Sequence, residues 1–216
     1  MLGSARTART AHRGGTITAR KERADSVRNR AALLAAAARL FQDAADPDSV
    51  KMADIAQAAG AGKGTVFRHF SDRIGLVRAL VVEETQELRE QVVDGPPPLG
   101  PGTPVAERLP ALMSALLDLK LSQRALMLAL DRAGTGSPYL NPAYDLWHSE
   151  VAGMLVGVHG REGADYLAHV LLAAVRSDLV EHLAGQGASP GQLHAGLRRL
   201  CATVLARGAD GAEGDL

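Results

Sequence analysis

The sequence predicts an all-α protein. Apolar residues return at helical spacing along most of the 216 residues, and no segment alternates polar and β-branched residues as a strand would. Alanine and leucine dominate, whereas aromatic residues make up 3% of the chain. Because alanine and leucine favour helices, composition and periodicity together indicate helices packed on helices, in one or two domains.

The first helix is predicted from about Asp25 or Ser26 to Asp43, and Pro47 lies in the loop that follows it. Its apolar face consists of Val27, Ala31, Leu34, Ala38 and Phe41. Residues 1–24 are rich in arginine and poor in apolar side chains, which predicts disorder. Such a basic arm is also able to reach DNA phosphates or an adjacent minor groove.

Two short helices joined by a glycine turn follow between Lys51 and Phe70. Gly60 is placed to close the first of them in the left-handed conformation, and we expect Ser49 to cap its start. In the second helix, Val66 and Phe70 share the buried side, which leaves cationic and hydroxyl side chains for the other faces. This pattern is typical of a helix-turn-helix, whose second helix enters the DNA major groove.

The same stretch has a competing interpretation, because GAGKGT looks like a phosphate-binding loop. That motif requires a glycine where this chain has Gln57, and a Ser or Thr where it has Gly64. The motif also follows a strand, whereas the element preceding this turn is predicted to be a helix. The helix-turn-helix is therefore the favoured interpretation.

The string DIAQAAGAGKGTVFRHF, continued by SDRIGLVRAL, resembles the DNA-binding domain of the TetR family of bacterial one-component repressors. The resemblance extends from about Val27 to Leu80. Ala61 stands where the family has a larger aliphatic residue, Phe67 where it often has a Tyr that meets a phosphate, and Arg73 where it usually has a phosphate-binding Lys. The resemblance implies DNA contacts from Arg28, Lys63, Gly64, Thr65, Phe67, Arg68, His69 and Arg73.

The net charge is zero, but the charges are unevenly distributed. Residues 1–73 hold 13 Lys and Arg against 7 Asp and Glu, which leaves 11 against 17 in residues 74–216. A basic N-terminal third on an acidic remainder is expected of a DNA-binding head joined to a domain with another task.

Ser71 or Asp72 is predicted to cap a long linker helix, whose apolar positions include Ile74, Val77, Leu80, Val81 and Leu88. The run GPPPLGPGTP then ends regular structure over residues 95–104. Helical periodicity resumes at Val105 and predicts further helices over about 123–132, 142–158, 161–183 and 190–206. Ser189, Pro190 and Gln192 form a capping box at the start of the last one.

Large and half-polar side chains in the C-terminal body suit a cavity for a small apolar effector. The resemblance to the family also implies such a ligand-binding domain. The candidate residues are Met113, Leu117, Met127, Tyr144, Trp147, His148 and Met154. Each of them can equally be an ordinary core residue, because such side chains at helical spacing are core by default.

The last two long helices offer more apolar surface than one packing face uses. In proteins of the resembled family, the corresponding pair forms a four-helix bundle with a second subunit. We therefore expect a homodimer that binds a palindromic double-stranded DNA operator and releases it when an effector swings the linker helix. The alternative is a DNA-binding dimer that responds to no small molecule.

An enzyme is the remaining alternative. Neither an HExxH pair nor a Gly-x-Ser-x-Gly elbow occurs, so no catalytic residue, cofactor or metal site is expected. A cluster of His159, Asp165 and His169 is conceivable as a metal site, but hydrogen-bonded or exposed histidines explain these positions better. Cys201, the single cysteine, lies in an apolar helical run that favours a buried, unreactive thiol.

The expected organisation is a basic arm over residues 1–24, a helix-turn-helix domain over 25–72, a helical ligand-binding and dimerisation domain over 73–207, and a tail over 208–216. No secretory signal is recognised, and no uncharged apolar run reaches the ~18 residues needed to cross a bilayer. We therefore expect a cytoplasmic transcriptional repressor that does not interact with membranes.

Overall fold

The computed structural model describes residues 12–133 and 142–206, and all regular structure in these ranges is helical. The prediction of an all-α fold is confirmed. None of the described helices is long and apolar enough to cross a membrane. In chain order the elements are α1 (His12–Asp43), a 3-10 turn (Pro47–Ser49), α2 (Met52–Ala58), α3 (Lys63–Phe70), α4 (Arg73–Glu84), α5 (Gln86–Asp94), α6 (Val105–Ser122), α7 (Arg124–Ala133), α8 (Pro142–Ala173), α9 (Ser177–Gly185) and α10 (Pro190–Ala206).

The first of two apolar cores, here called the head core, holds the N-terminal helices together. Leu33 of α1, Ile55 of α2, Val66 of α3 and Leu80 of α4 meet in it, each no more than 1% exposed. Leu126 of α7 enters the same core, although it lies far along the chain. Burial of side chains of this size stabilises a fold by about 1.5–3 kcal/mol each, so the head depends on α7 for part of its stability.

The second core, here called the body core, joins the remaining helices. Val92 of α5, Leu112 of α6, Val151 and Leu171 of α8, and Cys201 of α10 are buried in it. Burial raises the pKa of the Cys201 thiol to about 11, because the apolar surroundings disfavour the thiolate. The prediction of a buried, unreactive thiol agrees with this position.

α1 begins at His12, well before the predicted start at Asp25. Its described side chains between residues 20 and 32 are exposed apart from the half-buried Asp25. Val27 is 69% exposed, so its predicted place on the packing face is wrong. Helix propagation is inexpensive once a neighbouring segment is packed, and residues 19–24 are helix-favouring types, which accounts for the longer helix.

Two of the predicted helices are divided in the structure. The linker helix is interrupted at Thr85, whose hydroxyl donates to the Val81 carbonyl at 2.7 Å, a bond that bends helices. The single helix predicted over 161–183 is also wrong, because α8 ends before Arg176, which has extended backbone. There the buried Ser177 donates its amide to the carboxylate of Asp131 in α7, at 3.2 Å.

A further break lies within α8 at Gly160, which has φ 68° and ψ 175°. This conformation favours glycine, since a Cβ strains the backbone at positive φ. We call residues 142–159 the first arm and residues 161–173 the second arm of α8. The break falls between the helices predicted over 142–158 and from 161 onward, and it allows side chains of the two arms to meet.

Candidate nucleic-acid interface

The turn between α2 and α3 sets the direction of α3. Gly60 has φ 62°, and its amide donates to the Gln57 carbonyl at 3.1 Å. The amide of Ala61 donates to the Ala56 carbonyl at 2.9 Å. These two bonds around a left-handed residue form a Schellman motif, which satisfies the last carbonyls of α2. The predicted closure of this helix by Gly60 is confirmed.

The start of α2 differs from the expectation. Lys51 occupies the N-cap position and makes no side-chain hydrogen bond to the helix. The hydroxyl of Ser49 donates instead to the carbonyl of Asp46, at 2.6 Å. The predicted cap from Ser49 is therefore wrong, because the 3-10 turn before α2 already uses that hydroxyl.

The outer surface of α3 is cationic. Val66 and Phe70 are buried beneath it, as the spacing predicted, while Lys63 and Arg68 are exposed. Phe67 lies on the same surface and is 41% exposed, which is unusual for a ring of this size in a small helical head. One face of α3 therefore packs in the head core, and the other presents two cations and an aromatic ring to the outside.

The first turn of α3 borders a groove between α1 and the α2–α3 turn. The groove has a volume of about 220 Å³ and is lined by Asn29, Ala32, Ala59, Gly60, Ala61, Gly62 and Thr65. A Cβ added at Gly64 would meet nothing within 4 Å, so the backbone there is open to close approach. Gly64 and Thr65, both expected to contact DNA, thus lie beside an accessible groove at the start of α3.

His69, another residue expected to contact DNA, is turned toward the head. Its ring lies 6.1 Å from that of Phe70, measured between centroids. The Nε2 atom is buried and has no hydrogen-bond partner among the described residues. In this conformation His69 is a half-buried side chain beneath the outer surface of α3.

Arg73 also points inward. Its Nη2 donates to the Pro47 carbonyl at 2.6 Å and its Nε to the Val50 carbonyl at 3.3 Å. The guanidinium carbon lies 5.8 Å from the centre of the Phe41 ring, within reach of a cation–π interaction. The cationic group that the resemblance assigns to a phosphate is thus engaged in holding the 3-10 turn against α4.

The exposed N-terminal half of α1 carries a row of cations. Arg28 forms a surface ion pair with Asp25 one turn earlier, and such exposed pairs hold their members only weakly. Arg30 places its guanidinium 5.5 Å from the centre of the Phe70 ring. Arg20, Lys21 and Arg23 continue the row on exposed helix, where a disordered arm was expected.

The residues proposed for an effector site are distributed over both cores. Met113, Leu117 and Trp147 are buried in the body core, and Tyr144 and Met154 are half-buried against it. Met127 instead lies in the head core, 1% exposed, so the structure does not bring it to the others.

His148 belongs to a small polar cluster that joins the two arms of α8. Its Nε2 lies 3.2 Å from the Asp165 carbonyl oxygen and 3.5 Å from Oδ1 of the same residue. Its ring stacks on that of His169 at 4.1 Å between centroids. His159, which was weighed as a partner of Asp165 and His169, instead lies with Nε2 2.7 Å from the Val204 carbonyl oxygen, in agreement with the favoured interpretation as a hydrogen-bonded histidine.

α7 connects the head to the rest of the molecule. Arg132 pairs with Asp46 at 3.3 Å, the residue before the 3-10 turn of the head, and with Asp48 at 3.1 Å, within that turn. Toward the body, Arg124 pairs with Glu181 of α9. With its apolar contribution to the head core, α7 therefore contacts both parts of the chain.

A helix-turn-helix head with a cationic outer helix, carried on a helical body with its own core, defines a DNA-binding transcriptional regulator. Residues 33–80 match the family model described as bacterial regulatory proteins, tetR family. The helix-turn-helix head therefore carries the DNA-binding domain of this family, as the resemblance predicted.

Related sequences are also regulators. An HTH-type transcriptional regulator of Staphylococcus aureus (strain MRSA252) is 25% identical over 163 residues, which cover 74% of this chain and 84% of that protein. An uncharacterized HTH-type transcriptional regulator of Mycobacterium tuberculosis (strain H37Rv) is 41% identical over 61 residues, or 28% of this chain and 30% of that one. The family and these relatives are transcriptional regulators rather than enzymes.

Solved structures show the same fold. A transcriptional regulator from Rhodococcus sp. RHA1 has a TM-score of 0.59 and 22% identity, covering 84% of this chain and 96% of that one. NalD, the secondary repressor of the MexAB-OprM multidrug efflux pump in Pseudomonas aeruginosa, has a TM-score of 0.55 and 20% identity, covering 84% and 97%. These likenesses establish the arrangement of an N-terminal helix-turn-helix followed by a helical domain.

Proposed function

We propose that this regulator is a homodimeric repressor that leaves a palindromic operator when a small apolar ligand enters its body core. The observation that supports DNA reading by α3 is the contrast between its two faces. Val66 and Phe70 are buried in the head core, while Lys63, Phe67 and Arg68 are exposed. A helix that packs on the head core with its apolar residues and exposes cations to solvent is suited to lie in the major groove of DNA, which is a polyanion.

The exposed residues are proposed to contact different groups of the DNA. Arg68 is the side chain suited to a bidentate bond with a guanine edge, and Lys63 to a phosphate. Phe67 packs against a thymine methyl or a sugar, since it has no hydroxyl for a phosphate. Gly64 and Thr65 allow close approach of the backbone at the start of α3, and Arg28 meets the phosphates beside α1. His69 and Arg73 support the head from within.

Exposed apolar side chains near the end of the chain are suited to a subunit contact. Tyr166 is 70% exposed and Val170 36% exposed on the second arm of α8, and Leu179 of α9 is 38% exposed. Tyr166 and Val170 lie one helical turn apart on the same helix, and exposed apolar surface of this kind is typical of interaction sites. A two-fold contact through this arm and α10 would present two copies of α3 to half-sites about 34 Å apart.

The effector is proposed to bind among Met113, Leu117, Tyr144, Trp147 and Met154. These side chains are apolar or half-polar, which fits an uncharged or weakly charged apolar ligand. Met127 lies in the head core and is therefore not proposed to contact the effector. It belongs to α7, the helix proposed to transmit the ligand-induced conformational change to the head. α7 is the route, because it packs in the head core and pairs with α9 at the same time.

The DNA-binding proposal is tested with Arg68→Ala. Operators are first selected from a genomic fragment library by the full-length protein, and binding is then measured by fluorescence anisotropy over a series of salt concentrations. Loss of a bidentate base contact is expected to cost about 1–3 kcal/mol and to relax specificity at one position of each half-site. Arg78→Ala, which changes an exposed arginine of α4, is the control and is expected to leave affinity unchanged. Unchanged affinity and salt slope in Arg68→Ala would remove α3 from the interface.

The effector proposal has its own readout, because Trp147 is the single tryptophan and is 8% exposed in the body core. A library of small apolar compounds is screened for a change in tryptophan emission, and active compounds are then added to the protein–operator complex. A compound that changes emission and lowers operator affinity supports the repressor mechanism. Compounds that change neither, at concentrations up to their solubility, would favour a regulator without an effector.

A further inference from the structure

The two arms of α8 bring two imidazoles and a carboxylate together across the break at Gly160. His148 comes from the first arm, and Asp165 and His169 come from the second, one helical turn apart. One ligand-capable atom from each of the three lies within 4.8 Å of the other two. We propose that these three side chains bind a divalent transition-metal ion that joins the two arms.

The donor types are those of a nitrogen-rich metal site. Two neutral imidazoles and one carboxylate are a recurrent protein ligand set for Zn²⁺, with a water in the fourth position. Calcium and magnesium are disfavoured, because they take oxygen ligands almost exclusively. Ions that require thiolate are disfavoured too, since Cys201 is buried in the body core and does not belong to the cluster. Zn²⁺, with Co²⁺ as its spectroscopic substitute, is therefore the ion to test.

The geometry requires only a small adjustment. Metal–ligand bonds of about 2.0–2.1 Å in a tetrahedron place ligand atoms about 3.3 Å apart. The Nε2 of His148 is already 3.5 Å from Oδ1 of Asp165. The remaining distances close by rotation of side chains. The side chain of Asp165 is 65% exposed and that of His148 17% exposed, so an ion can enter from solvent at the carboxylate.

A supporting partner is also in place. The hydroxyl of Tyr144 lies 2.6 Å from Nδ1 of His169, and the two rings are stacked at 5.8 Å between centroids. Metal-binding histidines usually use their second nitrogen in such a bond, which orients the ring and fixes the tautomer. Tyr144 is therefore a positioning residue for His169.

A second histidine–carboxylate pair in the chain offers a matched comparison. His194 of α10 lies 2.9 Å from Asp118 of α6, and both groups have exposures similar to those of His148 and Asp165. No third ligand-capable side chain joins this pair among the described residues. The pair thus has the same chemistry with one ligand fewer, and it is expected not to hold an ion tightly.

The test measures metal binding by the full-length protein after treatment with a chelator and its removal. Zn²⁺ binding is followed by isothermal titration calorimetry, and Co²⁺ binding by the visible absorption of a tetrahedral complex. One ion per chain is expected. His148→Gln and His169→Gln are each expected to weaken binding by at least about tenfold, and Tyr144→Phe by about tenfold, which is the lower end of what a supporting partner contributes. His194→Gln is expected to bind as the unmodified protein does.

Helix content and the thermal midpoint without metal, measured by circular dichroism, verify that each variant folds. Three results would overturn the proposal. The first is absence of saturable binding, which leaves a metal-free contact of His148 with Asp165. The second is equal binding by His148→Gln, His169→Gln and His194→Gln. The third is one ion per two chains, which would place the ion between subunits. Each readout is independent of operator binding, so the metal site and the repressor proposal can fail separately.

Discussion

Replacing Arg73 by alanine separates the two roles that this side chain can have. The family resemblance implies that the side chain at this position contacts a DNA phosphate. In the structure its guanidinium instead bonds carbonyls of the 3-10 turn and the residue after it. Two charge-assisted bonds, to the carbonyls of Pro47 and Val50 at 2.6 and 3.3 Å, are lost in the variant. The stacking on the Phe41 ring is lost with them.

The expected cost follows from these contacts. A hydrogen bond from a charged group contributes about 1.5–3 kcal/mol, and an exposed cation–π contact about 0.5–1 kcal/mol. The side chain is 28% exposed, so the lower end of each range applies and the sum is about 3.5 kcal/mol. For a chain of this size, that corresponds to a fall of roughly 7–14 °C in the thermal midpoint.

Urea and thermal unfolding, followed by circular dichroism, measure this loss, and Arg78→Ala on the exposed side of the same helix is the control. Arg73→Lys distinguishes the two roles, because lysine keeps the charge but cannot bridge two carbonyls with a planar fork. We expect Arg73→Lys to lose most of the stability that Arg73→Ala loses. The inward role would be refuted if both variants unfolded like the unmodified protein and only Arg73→Ala bound operator more weakly, with a smaller salt slope.

Three further predictions concern packing and the thiol. Gly75→Ala should destabilise the protein by about 1–3 kcal/mol in urea unfolding, because the added Cβ would lie 2.2 Å from the Phe70 carbonyl oxygen. Gly153→Ala is the control and should not destabilise it, because a Cβ there would meet nothing within 4 Å. Arg108→Ala should cost about 3–5 kcal/mol by the same assay, since its guanidinium donates to two carbonyls at 2.7 Å and to a carboxylate at 3.1 Å around the 95–104 loop. Cys201 should resist alkylation in the native protein at pH 8 but react in urea. Because its pKa rises from 9.0 unfolded to about 11 folded, its contribution to stability is complete below pH 9 and is lost as the pH rises through 11. Equal alkylation rates with and without urea, or a tolerated Gly75→Ala, would contradict this account.

Structural features formed by residues close together in the sequence were predictable. Gly60 closes α2, Asp72 caps α4 by accepting the Gly75 amide at 2.7 Å, and Ser189 with Gln192 forms the capping box of α10. Each feature depends on residues at most a few positions apart, so the pattern in the sequence contains all the interacting groups. The buried positions Val66 and Phe70 on α3 were predictable for the same reason, from helical spacing alone.

Features that depend on distant residues were not predictable. The start of α9 after Arg176 depends on such a contact, because the Ser177 amide there donates to the carboxylate of Asp131, 46 positions earlier. The bond of Thr85 to the Val81 carbonyl is local, but a bond of this kind does not always interrupt a helix, so the division of the linker helix was not predictable either. The partners of Arg73 could not be chosen from sequence, since a guanidinium bonds whichever acceptors the fold brings near, here carbonyls 23 and 26 positions earlier. The signal for the His148 cluster was present only as two pairs spaced by one helical turn, Tyr144 with His148 and Asp165 with His169.

The sequence by itself determined the helical class, the helix-turn-helix and the family, because periodicity, caps and the glycine turn are local properties. Only the tertiary structure decided that α7 packs in the head core, that Arg73 and His69 turn inward, and that His148 meets Asp165 and His169. The contacts of α7, Arg73 and His148 join residues far apart in the chain, and their formation depends on how whole helices pack. A sequence pattern specifies which face of a helix is apolar, but not which other helix will cover it.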